Sequence, residues 1–145
     1  METCEDILET KGKDVFVIAP EATVFDAVEA MCGWRVGALL VGTVDMPRGI
    51  ISERDVMARV VLQRLSPEET RVEQVMTRDV VCAELRTTQR EAMAVMTERC
   101  CCHLPVVIDR RVVGVISIGD LVRSASREQE IEVKMLSEYI HGAVS

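Results

Sequence analysis

Short runs of apolar residues alternate with polar, turn-forming ones along this chain, and their order predicts strands and helices in alternation. Asp14-Val15-Phe16-Val17-Ile18 reads as an extended segment, stopped by Ala19-Pro20. Thr23 then has the character of a helix N-cap, with Asp26 at the third helical position and Ala27 and Met31 on one face. Gly37 to Val44 is a β-rich run, and a turn containing Asp45-Met46-Pro47 leads into a second strand, Arg48 to Ile51, which feeds a helix capped by Ser52. The succession then returns. Thr88 with Glu91 reads as a capping box, His103 to Ile108 as a strand, Asp109-Arg110-Arg111 as a turn and Val112 to Ile116 as a strand that ends at a capping Ser117.

The return is a repeat in fixed register. Gly49-Ile50-Ile51-Ser52-Glu53-Arg54-Asp55 stands 65 positions before Gly114-Val115-Ile116-Ser117-Ile118-Gly119-Asp120. The same shift, without a gap, pairs Asp14 with Asp79, Thr23 with Thr88, Ala27 with Ala92, Met31 with Met96 and Val41 with Val106. Ahead of each copy a short helical lead-in recurs at a shift of 68, Asp6-Ile7-Leu8 against Gln74-Val75-Met76. A repeat of this size decides the architecture: an α/β (α+β) fold of two pseudo-symmetric β-α-β-β-α motifs, neither complete alone. Ser66-Pro67-Glu68-Glu69, with serine at N-cap, proline at N1 and glutamate at N3, predicts an ordered connector. Beyond the second copy, Ile131, Met135, Leu136, Tyr139 and Ile140 form a helical stripe that needs a surface to cover, on the chain's own core or on a dimer partner.

Composition narrows the function. The 145 residues are 48% hydrophobic, enough for one compact unit without disulfide or metal, and too apolar for a disordered tail. A net charge of −7 argues against nucleic acid, whose phosphates call for a basic surplus, and four aromatics leave little for base stacking. The acidic start lacks the basic and apolar regions of a signal peptide, and the longest apolar run, Val36 to Val41, extends only through Gly42-Thr43 to Val44. The expectation is a soluble, cytoplasmic protein with no membrane partner and its six cysteines reduced.

The chemistry concentrates where strand meets helix. Ser52 ends a strand at a helix N-terminus, where free N–H groups favour phosphate, and Asp55 one turn in can accept both hydrogen bonds of a ribose diol. Ser117 and Asp120 repeat the pair, and Ser-x-x-Asp is equally a capping box. Cys100-Cys101-Cys102-His103 reads as small filling at a helix end and strand start, because adjacent side chains diverge and cannot converge on zinc or form a dyad. No metal site, nucleotide-binding glycine loop or catalytic constellation stands out, so no enzymatic activity is expected.

Gly-Ile-Ile-Ser-x-x-Asp, Met-Thr-x-Asp-Val-Val and His-Leu-Pro-Val-Val, in a tandem β-α-β-β-α unit, resemble a pair of CBS motifs, also called a Bateman module. Arg54 within Ser-Glu-Arg-Asp and the tail Tyr139-Ile140-His141-Gly142 are similar to the stand-alone single-pair proteins of bacteria and plant organelles. The resemblance divides the chain into motif 1 with its lead-in (3–62), a connector (63–71), motif 2 (72–126) and a C-terminal helix and tail (127–145). It implies a regulatory module without an obligatory cofactor. Such a module takes AMP, ADP, ATP, NAD(H) or S-adenosylmethionine in two clefts, dimerises into a disc of four motifs and acts on a client protein. The clefts are expected to be crossed: Ser52, Arg54 and Asp55 with Thr77, Val81, Cys101 and His103, and Ser117 and Asp120 with Phe16, Arg35 and Val36. Apolar side chains would sandwich an adenine, and Arg54 would meet phosphate. Gly119 takes the place of Arg54 in the second copy, and Cys102 stands where many relatives have arginine, so unequal occupancy is expected. Two other readings stand beside this one: a constitutive assembly module with vestigial clefts, and a thiol redox sensor through Cys100–Cys102.

Overall fold

The computed structural model describes residues 1–129. The first repeat comprises α1 (Cys4–Lys11), β1 (Val17–Ile18), α2 (Val24–Trp34), β2 (Ala38–Gly42), β3 (Pro47–Ser52) and α3 (Glu53–Val56), which continues as π-helical turns over Met57–Val61. The second comprises α4 (Val72–Val75), α5 (Gln89–Arg99), β4 (His103–Ile108), β5 (Arg111–Ser117) and α6 over 118–129. The apolar stripe from Ile131 onward lies outside the described residues.

The register of the two hairpins is the sequence repeat made physical. Antiparallel β2–β3 pairs Ala38 with Ser52 and Val41 with Gly49, and β4–β5 pairs His103 with Ser117 and Val106 with Gly114. Each hairpin slips by a bulge at the same place, after Val41 and after Val106. Parallel pairing of Ile18 with Val41 returns as a single bridge between Ala83 and Val106. α2 and α5 both end on a left-handed residue, Arg35 at φ 58° and Cys100 at φ 52°, whose N–H groups close on Met31 and Met96. Thr3, Thr23 and Ser52 each form a full capping box with the acid three residues on. Thr88 forms half of one: its hydroxyl accepts from the Glu91 N–H but is itself donated to Glu91 Oε1, not the Thr88 N–H. Ser66 to Thr70 closes as a single turn, with Glu69 and Thr70 N–H groups donating to the Ser66 carbonyl.

The lead-in helices change places. Cys4, Ile7 and Leu8 of α1 bury against Ala92, Met96, Leu104, Ile116 and Leu121 of the second repeat. Val72, Val75 and Met76, at the start of the second repeat, bury against Val24, Ala27, Met31, Leu39 and Ile51 of the first. Thr3 bridges to Thr88, Thr23 bridges to Arg71, and Arg59 donates to the carbonyls of Val75 and Met76 at the end of α4. A third cluster, Leu40, Ile50 and Val112, joins the two sheets, where the Val112 N–H also donates to the Val44 carbonyl.

The two equivalent glycines mark where each exchanged lead-in crosses a strand. A Cβ on Gly49 would stand 2.5 Å from the Thr77 carbonyl oxygen, and one on Gly114 would stand 2.6 Å from a methyl of Leu8. A carbonyl held in the backbone cannot move aside, whereas a leucine side chain can turn. Gly49→Ala is therefore expected to cost about 2–3 kcal/mol and Gly114→Ala about 1 kcal/mol. Urea denaturation of both variants checks the order, and equal losses would contradict it.

Candidate functional site

Exchange of the lead-ins leaves two clefts between the repeats, each with one buried acid among its lining. The larger, about 560 Å3, brings together Ser52, Arg54, Asp55, Thr77, Val81, Cys101 and His103. The smaller, about 310 Å3, brings together Phe16, Arg35, Val36, Ser117 and Asp120. Every residue expected to share a cleft does so, in the crossed arrangement.

In the larger cleft, Asp55 is buried and serves first as a cap. Its Oδ2 accepts from the Ser52 N–H at 2.9 Å and from the Ser52 hydroxyl at 3.1 Å, and its Oδ1 accepts from the Thr77 hydroxyl at 3.0 Å. Arg59 stands 3.9 Å away, so the donors in hydrogen-bond contact are all neutral. Arg54 is exposed and reaches across the cleft to the Cys100 carbonyl at 3.4 Å. Arg99 and Asp79, which pair at 3.6 Å, also line this cleft and were not among the expected residues.

The smaller cleft is electrostatically different. Asp120 accepts from the Ser117 N–H at 2.8 Å and is gripped by two cations, Lys11 Nζ at 2.7 Å and the Arg123 guanidinium at 2.6 Å. Burial alone raises this carboxyl, but the hydrogen bonds from Lys11, Ser117 and Arg123, with the charge of Lys11, hold it below the ordinary aspartate value. The Arg123 guanidinium lies beside Gly119, 3.4 Å from where a Cβ at that position would stand. Phe16 is positioned by Trp34, which stacks on it with centroids 4.8 Å apart. Lys11, Arg123 and Trp34 were not among the expected residues; for Lys11 nothing local signals that a lead-in lysine serves the other repeat, whereas Arg123 pairs with Asp120 three residues away on one helix.

His103, half-buried, lines both clefts, and its Nε2 lies 3.2 Å from where a Cβ on Gly37 would be, so the two form a shared wall. The cysteine run is not uniformly filling. Cys101 packs against the second repeat's core, and burial pushes its thiol up, away from thiolate character. Cys100 and Cys102 are exposed on the rim of the larger cleft, because the left-handed turn at Cys100 directs the chain outward before β4 begins. Among the described residues no cluster of His, Cys, Asp and Glu suits a metal, and no helix is long and apolar enough to cross a membrane.

The CBS domain family model matches this chain twice, at residues 4–62 and 72–127. The chain is similar to the mitochondrial CBS domain-containing protein CBSX3 of Arabidopsis thaliana, 34% identical over 149 residues, covering 97% of this chain and 72% of that one. A solved structure of a protein with CBS domains from Burkholderia ambifaria MC40-6, provisionally assigned to signal transduction, is 41% identical. It covers 88% of this chain and 96% of its own, with a TM-score of 0.84. A CBS-domain containing protein from Agrobacterium tumefaciens is 31% identical, covering 85% and 92%, with a TM-score of 0.80.

Burial holds the His103 imidazole below its ordinary value of 6.5; Glu53 and Asp120 pull it up, Lys11 pushes it further down. The unfolded chain therefore takes up a proton at a pH where the folded one still refuses it. Stability is full above about pH 6.5 and declines as the pH falls through the lower folded value. Melting temperatures between about pH 8 and pH 5.5 should show this slope in the natural chain and lose it in His103→Gln; a slope unchanged by the substitution would contradict the assignment.

Proposed function

The chain belongs to the CBS-domain family as a CBS pair of the regulatory, signal-transduction type, and we propose that it senses an adenine nucleotide, AMP, ADP, ATP or NAD(H), and passes its occupancy to a client protein. The observation that carries this reading is the crossed composition of the clefts: each sets a buried, helix-capping aspartate of one repeat against apolar walls from the other. A diol donates two hydrogen bonds, and a carboxylate with neutral partners such as Asp55 can exchange a hydroxyl for it at little loss. Val81 and Val80 in one cleft, and Phe16 and Val36 in the other, offer faces to a base, and volumes of about 560 and 310 Å3 suit small ligands. Arg54, Arg35 and His103 supply phosphate donors against the chain's negative field. A ligand touching both repeats shifts their relative arrangement by its differential affinity, and that shift is what a client would read.

A second copy of the chain is the assembly partner we propose. Met57, Val61 and Leu62 leave apolar surface exposed on the helix after Ser52, and Val122 does so at the equivalent of Met57 in the second repeat. An exposed apolar patch on the first repeat, with Val122 at one equivalent position of the second, suits a two-fold, self-complementary contact. All six cysteines are unpaired, in keeping with a reducing compartment such as the cytoplasm.

Calorimetry of the full chain with AMP, ATP, NADH and S-adenosylmethionine tests the sensor. Binding should weaken about tenfold in Asp55→Ala and in Asp120→Ala, each at its own cleft, by loss of a charged hydrogen-bond pair. No heat and no melting shift with any of the four would leave the constitutive assembly reading, which is favoured by the internal satisfaction of both aspartates. Sedimentation of Leu62→Glu should show a monomer where the natural chain is a dimer; the same mass for both would remove this surface from the interface.

A further inference from the structure

The two exchanged lead-ins each hand one donor to the aspartate of the opposite repeat, and the donors differ in charge. Just past α4, Thr77 makes two bonds: its N–H donates to the Ile50 carbonyl at 2.8 Å and its hydroxyl donates to Asp55 at 3.0 Å. The equivalent carbonyl in the second repeat is Val115, 65 positions on. There a single ammonium takes both tasks: Lys11 Nζ donates to the Val115 carbonyl at 2.6 Å and to Asp120 at 2.7 Å. Lys11 is the last residue of α1, a third of its side chain is exposed, and it lines the smaller cleft.

We propose that Lys11 sets the ligand selectivity of the smaller cleft, admitting a ligand that carries phosphate and turning away one that offers only a ribose diol. The inference rests on the nucleotide reading above. A neutral diol arriving at Asp120 would have to take an oxygen from an ion pair inside a partly dry cleft, and it brings nothing to compensate the stranded ammonium. A phosphorylated ligand brings its own anion. Lys11 transfers to the phosphate, a charge-assisted bond replaces a charge-assisted bond, and a place on Asp120 Oδ2 is freed for a ribose hydroxyl while Arg123 keeps Oδ1. The larger cleft has no such gate, because Thr77 is neutral and its displacement from Asp55 strands no charge. The overall charge of −7 makes the contrast sharper, since a phosphate gains little from the protein's general field and depends on local donors.

The test is titration calorimetry of the full-length chain with adenosine, AMP and ATP, run on the natural protein, Lys11→Met and Lys11→Arg. Each of the three is also titrated in an Asp55→Ala background so that the smaller cleft is read, and apo melting temperatures establish that each variant is folded. In Lys11→Met, ATP binding should weaken about tenfold while adenosine binding holds or strengthens, and Lys11→Arg should restore the preference for ATP. If ATP binds and Lys11→Met alters adenosine and ATP by the same factor, Lys11 is a structural clamp and the inference fails alone. If none of the three ligands binds either the natural chain or its Asp55→Ala form, the nucleotide reading fails and takes this inference with it. Should Lys11→Met melt unfolded, Lys11→Arg decides: loss of the ATP preference with the charge retained also overturns the proposal.

Discussion

Exchange of the lead-in helices is the constraint on which the rest of the molecule depends. A single β-α-β-β-α unit leaves the apolar side of its hairpin uncovered, and here each unit is finished by three side chains that the chain places in front of the other one. The buried set on each side includes residues at or near zero exposure, such as Leu8 against Ile116 and Val72 against Ile51. Fully burying such side chains contributes about 1.5–3 kcal/mol each. Neither unit can therefore be separated from its partner without opening both cores. The glycines of the two Gly-Ile-Ile-Ser and Gly-Val-Ile-Ser strands belong to this arrangement: they are flat places for an exchanged segment to cross.

The clefts follow from the same exchange. A lead-in that crosses to the other repeat ends its helix beside that repeat's Ser-x-x-Asp, so the residue at its end faces the acid. Symmetry of the backbone is close, down to the bulges and the left-handed helix ends, but the side chains at these two places are free to differ. One aspartate is held by hydroxyls and amides, the other by an ammonium and a guanidinium. The two halves of the pseudo-symmetric molecule thus share a frame and diverge in charge.

Much of this was legible in the sequence, for a physical reason. A one-residue slip would turn every side chain to the other face, so a gapless shift of 65 positions calls for matching registers, and all five pairs of the first hairpin recur in the second, bulge included. Helix starts were legible because capping needs particular side chains at particular places, although Thr88 completes only half of its box. The crossed grouping of the cleft residues came from family resemblance, not from spacing. What stayed hidden was non-local. Lys11 looks like an ordinary basic residue at a helix end, and only the crossing brings its ammonium to Asp120. Trp34 gave no hint of stacking on Phe16, since the contact joins a helix end to a strand start. The cysteine run looked uniformly apolar, but a left-handed turn sends its first member outward and sets the three in different surroundings.

The exchange also imposes an order on synthesis. A ribosome releases residues from the N-terminus, and the core around Val24, Leu39 and Ile51 can close as soon as Met76 has emerged. α1 has no such early partner: Ile7 and Leu8 wait for Leu104, Ile116 and Leu121, which follow about 100 residues later. Until they emerge, α1 is an amphipathic arm with nowhere to dock. Its acidic outer face, Glu5, Asp6 and Glu9, keeps that waiting arm in water and away from other nascent chains.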